Sequence, residues 1–225
     1  MGITQPSFCT LDAILKFDGP ESPHCVYIEH VALRLGQTLH IPVADGALTI
    51  AGDGLAYASL EVASQGIPLP NLLHAQAAKA AATYPDEASA LLAFDIFIGN
   101  RDRYENLKAS MVTPHIRIFR AFDHSHALLN IEHDPGDSIA RLGSDDLILV
   151  FHPFFELVSQ PLLETWLDRI AAVDDLYVRE CCSFGRRFRD VDLQVQEALA
   201  DALVLRKTRL KAILAANIQT IRPLP

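Results

Sequence analysis

The sequence predicts an α+β fold with a strand-rich first third and a mainly helical remainder. Three observations predict it. Apolar stretches in the first third are short and punctuated by Gly-Pro and Asp-Gly signals. Beyond Pro68 and Pro70 the apolar spacing turns helical. Half of the 225 residues are apolar, enough for a substantial core.

Taken in chain order, residues 13–17 (Ala-Ile-Leu-Lys-Phe) form a short apolar strand interrupted by a lysine, and residues 19–23 form a turn. Apolar side chains at Ile28, Val31, Ala32, Leu35 and Leu39 have the spacing of a helix, with Ser22 as its cap and Pro42 as its stop. Residues 46–63 read as two strands joined at Gly52-Asp53-Gly54, a hairpin signal. Residues 66–71 are a linker broken by prolines, and the border falls there: an N-lobe over about residues 1–66 and a C-lobe over about 67–225 of one domain. Helices follow over 71–84 and 86–100, separated by Pro85, then an alternating strand over 115–123. Two amphipathic helices close the chain, over 152–173 with Trp166 in the core, and over 192–218.

A formal net charge of −9 argues against nucleic acid or an anionic membrane as a partner held by bulk electrostatics. The dense basic run at 184–190 reads as a solvated surface. Cys9, Cys25, Cys181 and Cys182 lack the spacing of a zinc knuckle and read as reduced thiols in a cytoplasmic protein. No secretory signal and no membrane span is expected.

The chemistry concentrates after the apolar run that closes on Gly99-Asn100. Asp102 and Asn106 lie in one tight polar loop, and Asp123 ends the apolar strand that follows. An Asp can orient or deprotonate an attacking hydroxyl, while an Asn carbonyl and a second carboxylate suit a hard cation such as Mg²⁺. Alone the pattern also fits loop formers and caps. A metal-dependent hydrolase using Asp102 and Asp123 with His124, His126 and His133 is a further reading of the same stretch. Lys16 shifts the balance, because a lysine within a buried strand costs free energy unless paired, and Glu29 on the following helix is a partner for it.

In this order the residues resemble the HipA-like kinase family, distant relatives of protein kinases and phosphoinositide kinases. "GITQP" with "AILKF" resembles its phosphate loop and lysine strand, "YIEHVALRLGQTLHIPVADG" its glutamate helix, "FDIFIGNRDRYENL" its catalytic loop, and "FDHSHALL" its metal-binding segment. The resemblance spans about residues 2–130 and implies a small two-lobed protein-kinase-like fold using ATP and Mg²⁺. It implies Asp102 as the catalytic residue, Asn106 and Asp123 as metal ligands, Lys16 on the nucleotide phosphates braced by Glu29, and Gly2, Thr4 and Gln5 as phosphate contacts. The implied reaction moves a phosphoryl group to a hydroxyl of a protein or small molecule. A kinase fold without catalysis, acting as a binding or regulatory module, is the alternative. Arg103 reads as a brace for the catalytic loop and Asp95 as a buried structural carboxylate.

Overall fold

The computed structural model describes residues 10–52, 54–64, 66–111, 117–149 and 151–217. Gly2, Thr4 and Gln5 lie outside the described residues.

The first part is a three-stranded antiparallel sheet carrying one long helix. Strand β1 (Ala13–Lys16), β2 (Gly46–Ala51) and β3 (Gly54–Leu60) are ordered β1-β3-β2, with the expected hairpin joining β2 to β3. The register pairs Lys16 with Tyr57, so the lysine shares the inner face with a buried aromatic ring. The expectation of a buried strand around Lys16 is corrected: among the described residues β1 is an edge strand with Ile14 and Leu15 largely exposed, and of its four residues Lys16 alone reaches inward.

Helix α1 (Cys25–Leu39) buries most of its residues, because its apolar positions recur on nearly every side of the first three turns. Its first turn is satisfied by Asp18, whose Oδ1 accepts from the Val26 N–H at 2.9 Å. Ser22, expected as the cap, instead donates its hydroxyl to the Ser125 carbonyl at 3.1 Å. The helix stops at His40, in the left-handed region at φ 58°, before Pro42 is reached.

The expected linker is partly structured, since β4 (Ala63–Ser64) pairs with β5 (Ile67–Pro68). Helix α2 (Ala77–Thr83) follows a short 3₁₀ turn and is therefore shorter than its sequence pattern. Pro85 is the first residue of α3 (Pro85–Ile98), where its missing N–H is harmless. This helix is buried from Ala88 to Ile98 and forms the centre of the helical part.

A two-stranded hairpin, β6 (Leu107–Ala109) and β7 (Phe119–Ala121), lies between α3 and the rest. On its other side β7 exchanges backbone bonds with the segment after α1: Ala121 N–H donates to Pro42 O at 2.8 Å and Ala44 N–H to Ala121 O at 2.7 Å. The hairpin is thus sewn to both parts of the chain. Helices α4 (Pro135–Leu142), α5 (Gln160–Ala172), α6 (Asp175–Cys182), α7 (Leu193–Lys207) and α8 (Leu210–Asn217) complete the fold. Two of them, α4 and α6, were not expected. Both are short and depend on the caps Asp134 and Asp174, whose carboxylates take first-turn N–H groups. The expected helix from 152 begins only at Gln160, because Phe151 and Glu156 adopt positive φ in the turn before it. Trp166 is buried as expected, its Nε1 donating to Asp86 at 2.9 Å.

α1 is braced against the end of α6. The Tyr27 hydroxyl donates to Cys182 O at 2.7 Å, and Arg34 donates to the carbonyls of Cys181 at 3.2 Å and Ser183 at 3.0 Å. These bonds satisfy the carbonyls an α-helix leaves free at its C-terminus. Tyr27, Phe184 and Phe188 form an aromatic cluster here, with His30 against Phe184 at 5.1 Å. Burial, and after it the charge of Arg34, lower the His30 pKa from 6.5 to about 4. The folded chain then leaves this ring neutral while the unfolded chain protonates it. Stability from this source is whole above pH 6.5 and falls as the pH drops from 6.5 towards 4. Urea melts at about pH 7.5 and about pH 5 should give a lower midpoint in acid, with a smaller gap in His30→Phe. An unchanged gap in that variant would remove His30 as the cause.

Candidate active site

The site is assembled at the C-terminal end of α3. Gly99 ends the helix at φ 67°, and a Cβ there would lie 2.6 Å from Ile131 Cδ1, so both backbone sign and space require glycine. The chain then turns sharply into the 100–106 loop. The Asn100 side chain holds this turn by accepting from the Asp102 N–H at 3.1 Å and donating to Asp95 Oδ1 at 3.0 Å.

Arg103 is the keystone. It is almost fully buried and donates to both oxygens of the equally buried Asp95, Nε to Oδ2 at 2.7 Å and Nη2 to Oδ1 at 2.9 Å. Its remaining nitrogen, Nη1, donates to Asn106 O at 2.9 Å and Phe122 O at 2.7 Å. The guanidinium therefore joins α3, the loop and the end of β7. His152 completes the network, its Nε2 lying 3.0 Å from Asp95 Oδ2 while its Nδ1 accepts from the Phe154 N–H at 3.2 Å.

Asp102 is exposed at the mouth of the loop, and Asn106 folds back beside it. The Asn106 amide donates to Asp102 O at 2.8 Å and approaches Asp102 Oδ2 at 3.4 Å. This points the amide nitrogen inward to the loop and leaves its oxygen turned away. The Phe122 N–H donates to Asn106 O at 3.1 Å, placing Asp123 one residue from that junction.

Asp123 sits at φ 55°, a conformation that Asp tolerates better than most residues. Its Oδ1 accepts from the Ser125 hydroxyl at 2.7 Å and from Lys16 Nζ at 3.1 Å, and no partner engages Oδ2 among the described residues. Lys16 Nζ also meets Glu29 Oε1 at 2.7 Å. Lys16, Glu29 and Asp123, far apart in sequence, thus form one contiguous ion cluster. Asp102 and Asn106 form a second group, and Arg103 with the Asn106–Phe122 bond ties the two together.

A scan of family models and a search of curated protein sequences find no match. Solved structures do match, two of them as follows. HipA of Shewanella oneidensis MR-1, determined with HipB and operator DNA as a toxin–antitoxin system, superposes with a TM-score of 0.59 at 15% identity, over 93% of this chain and 61% of that one. The chain therefore spans about 61% of the length of that HipA. The proinflammatory kinase CtkA of Helicobacter pylori gives a TM-score of 0.64 at 13% identity, over 95% of this chain and 98% of that one.

The fold is HipA-like.

Within this HipA-like fold the charge states of the cluster support one another. Burial opposes the Lys16 ammonium, but Glu29 and Asp123 outweigh it and raise the pKa. Burial alone would raise Glu29 and Asp123. His124 and Lys16 instead lower Glu29, and Lys16 with Ser125 holds Asp123 well below the usual carboxylate range. The ammonium and both carboxylates are charged at neutral pH.

Strand β7 ends at Ala121, and the following residues turn. His124 faces Glu29, with its ring Nδ1 3.5 Å from Oε2, and the described residues contain no convergent group of three His, Cys, Asp or Glu side chains. Two contributors were missed by sequence reasoning. Ser125, two residues after an Asp, is a turn signal that was available. His152 had no signal, because its partner Asp95 lies on a distant element. Among the described residues no helix is long and apolar enough to cross a membrane.

Proposed function

We propose that the chain is an ATP- and Mg²⁺-dependent phosphotransferase of HipA-like type. It transfers the γ-phosphoryl group to a hydroxyl of a protein or small-molecule acceptor. Residues 1–66 act as the N-lobe and 67–225 as the C-lobe of one cytoplasmic kinase domain. The observation that carries the reading is the convergence of Lys16, Glu29 and Asp123 at 2.7 Å and 3.1 Å, tied through Arg103 to the loop bearing Asp102 and Asn106. Asp123 keeps one oxygen without a partner among the described residues, and Asp102 is exposed on the loop that Arg103 ties to the Asp123 segment.

The donors fit the metal. Asp123 Oδ2 and Asn106 Oδ1 have no hydrogen-bond partner among the described residues, and hard oxygens of this kind suit Mg²⁺. When bound, Mg²⁺ neutralises phosphate charge. Lys16 adds its ammonium to the phosphate oxygens while Glu29 keeps it in place. Asp102 orients the acceptor hydroxyl and takes its proton as the new P–O bond forms and the bond to ADP breaks. The net charge of −9 favours a neutral or basic acceptor over nucleic acid.

Differential scanning fluorimetry with Mg-ATP tests the reading. Ligand at about 100 times its Kd stabilises by about 2.7 kcal/mol, a shift of about 5–10 °C for a chain of this size. No shift at millimolar Mg-ATP would instead support a non-catalytic binding module.

A further inference from the structure

We infer that His124 is the positioning residue of this site: it holds Glu29 so that Lys16 stands between Glu29 and Asp123. Glu29 is fully buried, and its two oxygens are engaged separately. Oε1 accepts from Lys16 Nζ at 2.7 Å and from the His124 backbone N–H at 2.8 Å. Oε2 faces the His124 ring Nδ1 at 3.5 Å and has no other donor among the described residues. One residue therefore reaches both ends of the carboxylate.

The ring is not there for packing alone. It is buried, edge-on to Phe94 at 6.2 Å, and its Nε2 has no hydrogen-bond partner among the described residues. An apolar side chain would fill this place, beside Leu33, Ala44 and Phe122, without leaving a polar atom unpaired. What the imidazole adds is a nitrogen, Nδ1, able to donate to Glu29 Oε2 3.5 Å away. Without it, Oε2 loses its donor, and rotation about the last side-chain bond offers both carboxylate oxygens to Lys16. The ammonium is then drawn from Asp123, to which it is now 3.1 Å away. His124 follows Asp123 directly, so the segment that carries one end of the cluster also locks the other.

For catalysis this inference rests on the phosphotransferase reading, while its geometric part stands by itself. The test compares His124→Phe, which keeps the shape without a donor, with His124→Asn, whose amide nitrogen occupies the place of Nδ1. In nucleotide-free crystal structures, Lys16 Nζ should move beyond about 4 Å from Asp123 in His124→Phe and stay within it in His124→Asn. In calorimetry and turnover assays, His124→Phe should weaken the Kd for Mg-ATP or lower kcat about tenfold, while His124→Asn stays within about threefold of wild type. Equal loss in both variants, or an unmoved Lys16 in His124→Phe, overturns the inference. If His124→Phe does not fold, His124→Gln, whose longer amide reaches the Nε2 position, replaces it with the same expectations. A wild-type chain that ignores Mg-ATP defeats the phosphotransferase reading, and the Lys16 position in the variants still decides the role of His124.

Discussion

Asp102→Asn should lower turnover by about 10²–10⁴-fold while leaving the Kd for Mg-ATP within about twofold. The substitution keeps the size of the side chain and removes only its ability to take a proton. The loop has independent supports: Asn100 holds the Asp102 N–H at 3.1 Å and the Asn106 amide holds its carbonyl at 2.8 Å, so the backbone has no reason to move. Asp102 is also exposed and lies outside the buried Arg103 network, so the melting temperature should change little. Single-turnover kinetics with Mg-ATP and any hydroxyl acceptor found active separates the chemical step from binding. Full turnover in the variant would remove Asp102 as the base.

Arg103→Met should destabilise the fold by about 3–5 kcal/mol, the cost of leaving a buried carboxylate without its cation. For a chain of this length that is about 10 °C in melting temperature. The cause is specific. Burial alone would raise the Asp95 pKa, and Arg103 with His152 holds it well below the ordinary 3.8. A lowered carboxylate stabilises the fold above the unfolded pKa and ceases to do so as the pH falls through the folded one. The deficit of Arg103→Met should therefore be whole at pH 7 and shrink in solutions more acid than about pH 4, which melts across that range would reveal. Because Arg103 also donates to Asn106 and Phe122, nucleotide binding should weaken at temperatures where the variant is still folded. A melting temperature within about 2 °C of wild type would mean that Asp95 finds another partner.

Much of the architecture was legible from local pattern. The β2–β3 hairpin followed from Asp-Gly between apolar runs, α1 from its apolar spacing, and α3 from the apolar run after Pro85, within a residue or two at each end. Such signals are local because backbone conformation and one-sided burial are decided within a few residues. The elements misjudged were those ruled by capping and packing. α4 and α6 are too short to show a period and exist through Asp134 and Asp174. The turn at 151–159 interrupts an amphipathic pattern: Phe151 and Glu156 adopt positive φ there, and His152 meets Asp95.

The candidate site divides in the same way. The sequence by itself determined which groups could do chemistry: a lysine amid apolar residues, a helix glutamate, Asp102 with Asn106 after a glycine stop, and Asp123 at the end of an apolar run. Residue type and order carry that information. Only the tertiary structure decided which of them meet, that Lys16 lies between Glu29 and Asp123, that Arg103 fastens the loop to the end of β7, and that His124 turns to a carboxylate on α1. Contacts between residues distant along the chain depend on how whole elements pack, and no short stretch of sequence contains that information.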